Sequence, residues 1–600
     1  MKNSDIDNLL ELGLKNHQEN KLDKAEYYFD EVIKKNKENI KANLYLGVVF
    51  AQQRKFIEAK TQFQKILNIS PRNIDALNNL GLIYRELNEI DKSIDCFKKV
   101  ISINSNFITS YNNLSILYQN IKKYSEAEKI LIKALDIDSN NLEIKLSLAI
   151  LYKDILQFEK SKKLFLEILD KNPKSSIALI NYGNLLKNTG DKKESEKCFR
   201  KAIEINPKYF PAYNNLLVLY ERTNQNNKLK ELIDKAEINF KNNTTLQLFH
   251  GHYLYKIEDF KSSLNILKNI KFNDNEYQKE KLRNLLLAKN YDKIDEANTA
   301  FEYFQKTNNI SLKYKDRNID KTKALKIISN RINYFKFQNK EISSNSNTND
   351  SPVFLIGFPR SGTTLLDTIL RSHPSIEVLE EKSNTTDMIN SLNKIINGDL
   401  NNLEKIQEDD IGLLRNNYLE SLKKNINSDI SNSIIIDKMP LNIVHVGEII
   451  KIFPHAKFIL AIRHPCDCVL SCFMQNFRLN DSMANFLNIE DSSEMYNLVM
   501  TLWKHYEKLN INYQIVKYED IVQNFKKTTE SLLSFLKVPW TDNVLKFYEV
   551  AQSRNLINTP SYDQVYRPIY SESAYRWKKY EDKIKPILPI LKPWINEFNY

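Results

Sequence analysis

The chain has 600 residues, too many for one ordinary domain, although a repeat array would account for much of that length. Its hydrophobic fraction of 42% and charged fraction of 27% are typical of a folded protein, and its net charge of +12 favours acidic partners without choosing among nucleotides, phosphates, sulfates, acidic peptides and nucleic acid. Five cysteines are too few for a disulfide framework, and no apolar run has the length of a signal peptide or a membrane span, so the composition predicts a cytoplasmic protein without a membrane span.

A sequence period of about 34 residues, the interval from Gly47 to Gly81, runs through the N-terminal half. One phase of this period holds small residues at seven of its eight positions: Gly13, Gly47, Gly81, Ser115, Ala149, Gly183, Leu217 and Gly251. A second phase also holds small residues: Ala25, Ala59, Ser93, Ala127, Ser161 and Ser195. A third phase holds large apolar residues: Phe29, Phe63, Phe97, Leu131, Phe165 and Phe199. Prolines mark one further phase, where the second helix of each pair should end: Pro71, Pro173 and Pro207.

These phases share one physical reason. Two antiparallel helices pack closely only where a small residue lies at their crossing, and a large apolar residue fills the space beside it. The pattern resembles tetratricopeptide repeats from Asp5 to Ile270, and its register decays after Leu217, where Leu229 replaces a small residue. The resemblance implies an all-α, right-handed superhelix over residues 1–270 whose concave groove binds protein segments. A scaffold or dimerisation arm is the alternative.

Residues 271–350 are predicted to join the two halves of the chain. Residues 271–338 lose the repeat period but keep helical patterns, as in KLRNLLLAKNY. The polar stretch from Asn339 to Ser351 is rich in Ser and Asn, which predicts a flexible linker or a surface loop.

The segment after this linker has the pattern of an anion-binding loop. The apolar run from Ser351 to Gly357 predicts a buried strand, and a helix is predicted to open at Gly362. A strand, a tight loop and a helix N-terminus bring backbone N–H groups and the positive end of the helix dipole to one point. The spacing mimics a Walker A loop, but Thr363 stands in the place of its lysine and Arg360 is the cation of the loop, which disfavours ATP or GTP hydrolysis.

The segment FLIGFPRSGTTLLDTILRSHP resembles the 5′-phosphosulfate loop of sulfotransferases, and its P-R-S-G-T-T run resembles the tyrosylprotein sulfotransferase branch and its repeat-carrying bacterial relatives. This resemblance implies an α/β domain with a P-loop-like parallel sheet over residues 351–600. It also implies the donor PAPS (3′-phosphoadenosine-5′-phosphosulfate). The residues that it implies as donor ligands in this loop are Arg360, Ser361, Gly362, Thr363 and Thr364.

A second anion site is predicted further along the chain. The segment KFILAIRHPCDCVLSCF predicts a strand over residues 457–462 and a helix from about Pro465. Arg463 lies at the carboxyl end of this strand, where ligands of open α/β sheets bind, and Ser471 could reach the same phosphate. The segment resembles the 3′-phosphate site of PAPS enzymes, R-x-P-x-D-x-x-x-S. Its three cysteines are predicted to be small buried side chains: Cys466, Cys468 and Cys472.

The chain departs from the tyrosylprotein enzymes after this motif. Those enzymes carry another Arg four residues beyond the Ser, where this chain has Gln475, and whether Arg478 replaces it stays open. A further strand is predicted from Ile511. Tyr518, in K-Y-E-D, resembles the V-x-Y-E segment that lies beside the adenine, and a simple packing role is an equal alternative.

Sulfuryl transfer requires a base for the acceptor hydroxyl and positive charge around the moving group and the leaving oxygen. The resemblance, with positions counted from Arg360, implies Glu381 as the base, with the adjacent Glu380 as the alternative. It also implies that Lys438, at the end of another predicted strand, contacts the bridging oxygen. No metal is expected, because Arg and Lys side chains can meet the charge.

The C-terminal segment PSYDQVYRPIYSESAYRW resembles the S-x-D-Q-V-x-K-P segment of the same enzymes. This resemblance implies an active-site role for Ser561 and donor binding for Arg576, in the place of a Lys. Taken alone, Arg576 or Lys438 would more ordinarily be a surface charge.

The sequence therefore predicts an all-α tetratricopeptide-repeat superhelix followed by an α/β sulfotransferase domain. The predicted activity is transfer of a sulfuryl group from PAPS to a hydroxyl, with a protein tyrosine as the preferred acceptor and the repeats binding the acceptor or a partner protein. One alternative is a saccharide or small-alcohol sulfotransferase, and another is a non-catalytic repeat-based adaptor. No nucleic-acid partner is expected.

Overall fold

The computed structural model describes residues 2–315, 318–338, 351–426, 433–553 and 574–600. The chain divides into two compact units, Met1–Lys241 and Asn242–Tyr600. In the described part of the chain, no helix combines the length and the apolarity needed to cross a membrane.

The first unit consists of seven antiparallel helix pairs. In chain order the helices are α1 (Lys2–Gln18), α2 (Leu22–Lys35), α3 (Ile40–Gln52), α4 (Phe56–Ile69), α5 (Ile74–Glu86), α6 (Ile90–Ile103), α7 (Ile108–Asn120), α8 (Tyr124–Ile137), α9 (Leu142–Asp154), α10 (Phe158–Lys171), α11 (Ser176–Thr189), α12 (Lys192–Ile205), α13 (Phe210–Arg222) and α14 (Asn226–Phe240). Several first helices of a pair open with the same cap, in which an Asn side chain accepts a hydrogen bond from a first-turn N–H, as Asn39 does from Ala42 and Asn73 from Ala76.

The three phases of the repeat period meet at one crossing within a helix pair, as α5 and α6 illustrate. A Cβ on Gly81 would lie 2.9 Å from the ring of Phe97, so the ring packs directly against the glycine. The hydroxyl of Ser93, from the second small phase, donates to the carbonyl of Gly81 at 2.6 Å. Gly183, Ser195 and Phe199 repeat the arrangement in α11 and α12. The predicted all-α repeat superhelix is confirmed.

The second unit begins with five helices that precede its sheet: α15 (Thr244–Lys256), α16 (Phe260–Asn269), α17 (Tyr277–Lys293), α18 (Ala297–Lys313) and α19 (Lys321–Phe335). The first two repeat the crossing of the other unit, since a Cβ on Gly251 would lie 2.6 Å from Leu267. The repeat pattern predicts a boundary near residue 270, whereas the compact units divide at 241/242.

The core of the second unit is a five-stranded parallel sheet in the order β2-β3-β1-β4-β5. The strands are β1 (Val353–Gly357), β2 (Ile376–Glu380), β3 (Ile434–Lys438), β4 (Lys457–Ile462) and β5 (Asn512–Lys517). The helices around them are α20 (Thr363–Arg371), α21 (Asn384–Ile395), α22 (Glu408–Asn425), α23 (Val446–Ile452), α24 (Pro465–Phe473), α25 (Ile489–Tyr506), α26 (Tyr518–Gln523), α27 (Phe525–Leu536), α28 (Phe547–Ser553), α29 (Glu581–Ile584) and α30 (Leu588–Glu597).

Both faces of the sheet are covered, as the continuous apolar runs of its central strands require. Phe354 and Phe458 face one core, which also contains Phe304 and Phe335 of the preceding helices. The alternate positions, such as Leu355, face a second core on the other side of the sheet. The predicted α/β fold is confirmed, and the predicted strands correspond to β1, β3, β4 and β5.

The helices between the repeats and the sheet are part of the second unit. Phe335 packs so closely on α23 that a Cβ on Gly447 would lie 2.1 Å from its ring. Arg331 donates to Glu448 at 2.9 Å, and both side chains are buried. Asn308 of α18 donates to the carbonyl of Phe473 in α24 at 2.9 Å. The helices α17, α18 and α19 therefore form one wall of the core that supports the sheet.

Candidate functional site

The carboxyl ends of all five strands carry the candidate residues. Because the strands are parallel, these ends lie at one edge of the sheet, which is where open α/β sheets bind ligands. The strand ends lead to the following residues in the order β1 to β5: the loop 358–362, Glu380 with Glu381, Lys438, Arg463 and Tyr518. The register places Lys438 opposite both Glu380 and Leu355.

The loop after β1 is shaped by two glycines. A Cβ on Gly357 would lie 2.5 Å from the carbonyl oxygen of Ala461 in β4. Gly362 has φ of 100° and opens α20, and a Cβ there would lie 3.0 Å from the ring of Tyr518. Ser361 is 2% exposed, and its hydroxyl has no hydrogen-bond partner among the described residues. A buried hydroxyl beside a helix N-terminus fits an anionic oxygen as its partner.

The two predicted anion sites are connected directly. Arg360 Nε donates to Ser471 Oγ at 3.0 Å, which links the first loop to α24. Arg463 Nη1 lies 3.5 Å from the carbonyl oxygen of Arg360, and its guanidinium lies over the ring of Tyr518 at 4.9 Å. The geometry therefore brings two guanidinium groups and an aromatic ring together around one loop.

Cys466, Cys468 and Cys472 are buried in α24, as expected of small core side chains. Cys472 lies behind the first loop, with its thiol 3.3 Å from the carbonyl oxygen of Pro359. The side chain of Arg478 is exposed in the segment that follows α24, whereas Gln475 is half-buried.

Lys438 lies at the centre of a group of carboxylates. Its side chain is fully buried, and Nζ donates to Glu381 Oε1 at 2.9 Å and to Glu380 Oε1 at 3.4 Å. Asp367, on the helix that follows the loop, brings Oδ2 to 3.9 Å from the same Nζ. Glu381 has φ of 49°, and its N–H donates to the Lys438 carbonyl, which fixes this turn beside the end of β3.

The two adjacent glutamates differ in exposure. The Glu380 side chain is 7% exposed and ends β2, whereas the Glu381 side chain is 33% exposed. Only Glu381 therefore combines contact with Lys438 and substantial access from solvent.

A second buried network supports this arrangement from the opposite face of β3. Asp437 accepts hydrogen bonds from the Tyr418 hydroxyl at 2.9 Å and from the Thr385 hydroxyl at 3.0 Å. Burial raises the pKa of Asp437 to about 6, although these two hydrogen bonds act in the other direction. Thr385 belongs to the first turn of α21, so this network fixes the start of the helix that follows Glu381.

The C-terminal prediction is only partly within the described chain. Ser561 lies outside the described residues. Arg576 is described, and its Nη2 donates to Asp292 Oδ2 of α17 at 2.6 Å. Asp467, the acidic position of the R-x-P-x-D motif, accepts the backbone N–H groups of Tyr575 at 2.7 Å and Trp577 at 2.8 Å.

A cleft of about 800 Å³ lies beside the elements that follow Glu381 and Lys438. One wall is α19, and the opposite wall is α21 together with the short 3₁₀ helix Pro440–His445. Asparagine side chains line much of it: Asn330, Asn333, Asn390, Asn393 and Asn401. Arg331, which lines this cleft, forms an ion pair with the buried Glu448.

Comparison with known families decides the class of the sheet-containing unit. Residues 352–542, which contain all five strands, match the family model described as "Sulfotransferase family". The chain carries a sulfotransferase domain. Tetratricopeptide-repeat models match residues 74–107, 107–137, 177–209 and 198–231, in front of that domain.

Three curated relatives each match part of the chain. An uncharacterized protein of Aquifex aeolicus is 29% identical over 51% of this chain and 39% of its own length. Protein-tyrosine sulfotransferase 1 of Danio rerio is 27% identical over 38% of this chain and 65% of its own length. Protein-tyrosine sulfotransferase of Drosophila melanogaster is 24% identical over 38% of this chain and 46% of its own length. The similarity thus spans less than two thirds of each of these relatives.

Among solved structures, a tetratricopeptide repeat protein from Parabacteroides merdae is 19% identical, with a TM-score of 0.36 over 41% of this chain and 96% of its own length.

Three acidic residues around the candidate site were not predicted from the sequence. Asp467 occupies a motif position and could have been found from the motif. Asp367 lies in the helix that opens at Gly362 and follows the loop by a few residues. Asp437 precedes Lys438 in the run IIIDK, where a carboxylate inside an apolar strand is an unusual feature.

Proposed function

We propose that the sulfotransferase domain transfers a sulfuryl group from PAPS to an acceptor hydroxyl, with a protein tyrosine as the preferred acceptor. The observation that carries the proposal is the position of the Lys438–Glu381 pair. Lys438 Nζ is 2.9 Å from Glu381 and 3.9 Å from Asp367, and Asp367 is on the helix opened by the anion-binding loop. An acid–base pair and an anion site therefore share one sheet edge.

PAPS carries the sulfuryl group on its 5′-phosphate, and this phosphate is the leaving group of the transfer. The loop from Arg360 to Thr364 would hold its 5′ side through backbone N–H groups at the start of α20, where the Ser361 hydroxyl would gain a partner. Arg463 and Ser471 would hold the 3′-phosphate. Tyr518, which lies against Gly362 and under the Arg463 guanidinium, would pack beside the adenine.

Glu381 is proposed as the base that takes the acceptor's proton on its carboxylate. Its exposure of 33% permits contact with an acceptor, whereas Glu380 is buried against Lys438. Lys438 orients the Glu381 carboxylate and provides positive charge for the leaving oxygen, and Arg360 provides positive charge from the loop side. These residues are the charges that this chain can supply without a metal ion.

The tyrosine acceptor is inferred from relatives named protein-tyrosine sulfotransferases, which are 24–27% identical to this domain. The repeats are proposed to bind the acceptor protein or a partner. A cytoplasmic location is part of the proposal, because five free cysteines suit a reducing compartment.

A saccharide is the second candidate acceptor. The asparagines that line the cleft between α19 and α21 offer amide donors and acceptors that pair well with sugar hydroxyls. The described residues that line this cleft leave no net positive charge for an acidic peptide.

The test is transfer from radiolabelled PAPS to tyrosine peptides, phenylalanine-substituted copies of the same peptides, and neutral oligosaccharides in parallel. Label on the tyrosine peptides but not on their phenylalanine copies is expected. Label on oligosaccharides alone would favour the second candidate. No transfer to any acceptor by a protein that binds the donor would favour a non-catalytic adaptor.

A further inference from the structure

Residues 575–577 are held against α24 by Asp467. The carboxylate accepts the N–H of Tyr575 at 2.7 Å and that of Trp577 at 2.8 Å. The Trp577 ring stacks on His464 with ring centroids 5.0 Å apart and an angle of 17° between the planes. This segment is therefore fixed beside the start of α24, next to Arg463.

The same segment is held from the other side by a residue outside the sulfotransferase match. Asp292 of α17 is 8% exposed and accepts from Arg576 Nη2 at 2.6 Å and from the Tyr580 hydroxyl at 2.6 Å. Lys579 Nζ lies 3.6 Å from the same carboxylate. One buried carboxylate thus gathers three side chains from a single short segment, and removing it would leave the half-buried Arg576 guanidinium without this partner.

The Asp467 carboxylate connects this clamp to the anion site. Its Oδ2 accepts from Tyr575 and lies 3.8 Å from Arg463 Nη2. Burial raises the pKa of the Asp467 carboxyl, whereas Arg463 and the two backbone N–H groups lower it. Arg463 in turn contacts the carbonyl of Arg360 and the ring of Tyr518.

We propose that Asp292 is a positioning residue for the donor site: it fixes residues 576–580, and through Asp467 it fixes the orientation of Arg463. This inference rests on the proposed function, since it concerns the same anion site. It assigns Arg576 to a supporting role in which its guanidinium binds Asp292. It also gives the helices before the sheet a part in donor binding, although they lie outside residues 352–542.

The experiment measures binding of adenosine 3′,5′-bisphosphate to the full chain by calorimetry, well below the melting temperature of every variant. Asp292→Asn is expected to weaken binding by about three- to tenfold, the scale of coupling through a packed network. Asp292→Glu should recover part of the loss. Asp295→Asn is the matched control, because Asp295 pairs with Lys579 at 2.6 Å from the same helix end but is 87% exposed, and it should leave the affinity unchanged.

Tyr580→Phe is the milder variant, since it removes only one hydroxyl from Asp292, and a smaller loss of affinity is expected. In steady-state assays the loss should appear in the donor KM, with the KM of a short acceptor unchanged. Arg576→Ala combined with Asp292→Asn should cost no more than the larger single loss.

Equal affinity of the unsubstituted protein, Asp292→Asn and Tyr580→Phe would overturn the inference and leave the proposed function standing, even if the melting temperatures fall. Additive losses in the double variant would also overturn it, because Arg576 would then contact the donor independently. No bisphosphate binding by the unsubstituted, folded protein would overturn both the inference and the proposed function.

Discussion

The glycines of the two units do different work. In the repeats, Gly81 and Gly183 each admit a phenylalanine ring from the same helix pair, so the space that glycine leaves is filled locally. At the sheet edge, Gly357 brings the backbone of β1 against β4, and the nearby Ser361 hydroxyl has no partner in the described chain. The first unit is built from contacts within a helix pair and between neighbouring pairs, whereas the second joins distant residues such as Arg360 and Ser471. Packing therefore explains the first unit but only part of the second.

Truncation is the strongest test of this difference. Removal of residues 1–35 deletes one helix pair and should leave a folded remainder, because repeats are stabilised by their neighbours. A fragment that begins at Asn242 should fold and bind adenosine 3′,5′-bisphosphate. A fragment that begins at Lys340 should aggregate, because it loses Phe304, Phe335 and Arg331 from the core. Circular dichroism and gel filtration of the three proteins check this expectation, and a well-folded fragment from Lys340 would contradict it.

Substitution of the proposed base should have the largest effect on activity. Glu381→Ala is expected to lower transfer by about 10²–10⁴-fold, the usual cost of losing a general base, with donor binding nearly intact. Glu380→Ala is the adjacent control and should retain far more activity. Single-turnover transfer and bisphosphate calorimetry measure the two quantities. A dead Glu380→Ala with an active Glu381→Ala would reverse the assignment.

The buried Asp437 should make the stability of the second unit depend on pH. Because burial raises its pKa to about 6, the folded protein keeps this proton between about pH 4 and 6, where the unfolded chain has lost it. The stabilisation is complete at low pH and is lost as pH rises through 6. Asp437→Asn should therefore gain stability relative to the unsubstituted chain as pH rises, by at most about 3 kcal/mol. Melting curves of both proteins at pH 4.5 and 7.5 check the sign. A fall in the melting temperature of Asp437→Asn relative to the unsubstituted chain between these two pH values would refute the prediction.

Loss of Arg463 should weaken the donor site directly. Arg463→Ala is expected to cost about 1–3 kcal/mol of bisphosphate affinity, the scale of a charge-assisted contact. Arg478→Ala is the control, because that side chain is exposed after α24. Calorimetry of both variants in the absence of added metal measures the effect. Equal losses would show that Arg478 replaces the arginine absent at Gln475.

Replacement of a helical glycine by alanine should change the free energy of unfolding in opposite directions in the two units. Gly183→Ala places a Cβ 2.7 Å from the Phe199 ring, and the overpacking should exceed the gain in helix propensity by about 1 kcal/mol. Gly412→Ala in α22 meets no atom within 4 Å and should stabilise the second unit by about 1 kcal/mol. Denaturant unfolding followed for each unit measures both changes. Stabilisation by Gly183→Ala would show that the helix crossing is not tightly packed.

The two units also differ in what the sequence alone could predict. The repeats were predictable because similar residues recur at the helix crossings of the first six pairs at a fixed interval, as Gly81, Ser93 and Phe97 illustrate. At the sheet edge, the loop after β1 and the strand before Arg463 have local signals, and the family resemblance implied Lys438 and Glu381.

The strand β2 was not predicted, because its five-residue run IEVLE is neither continuously apolar nor strictly alternating, and its last acid contacts Lys438 rather than solvent. The partners Asp292 and Arg576 are 284 residues apart, and no local pattern indicates that they meet. Contacts of this kind depend on how distant helices pack, so single-sequence reasoning cannot find them.

The packing of Phe335 against Gly447 has a consequence for how such chains can be recombined. A ring that leaves no room for a Cβ on α23 packs α19 tightly against the sulfotransferase domain. Exchange of repeat arrays between relatives would therefore succeed with a splice at 241/242 and fail with one at the start of β1. Genes that diversify by such exchange would keep α15 to α19 together with the sulfotransferase domain and would vary only the helices before α15.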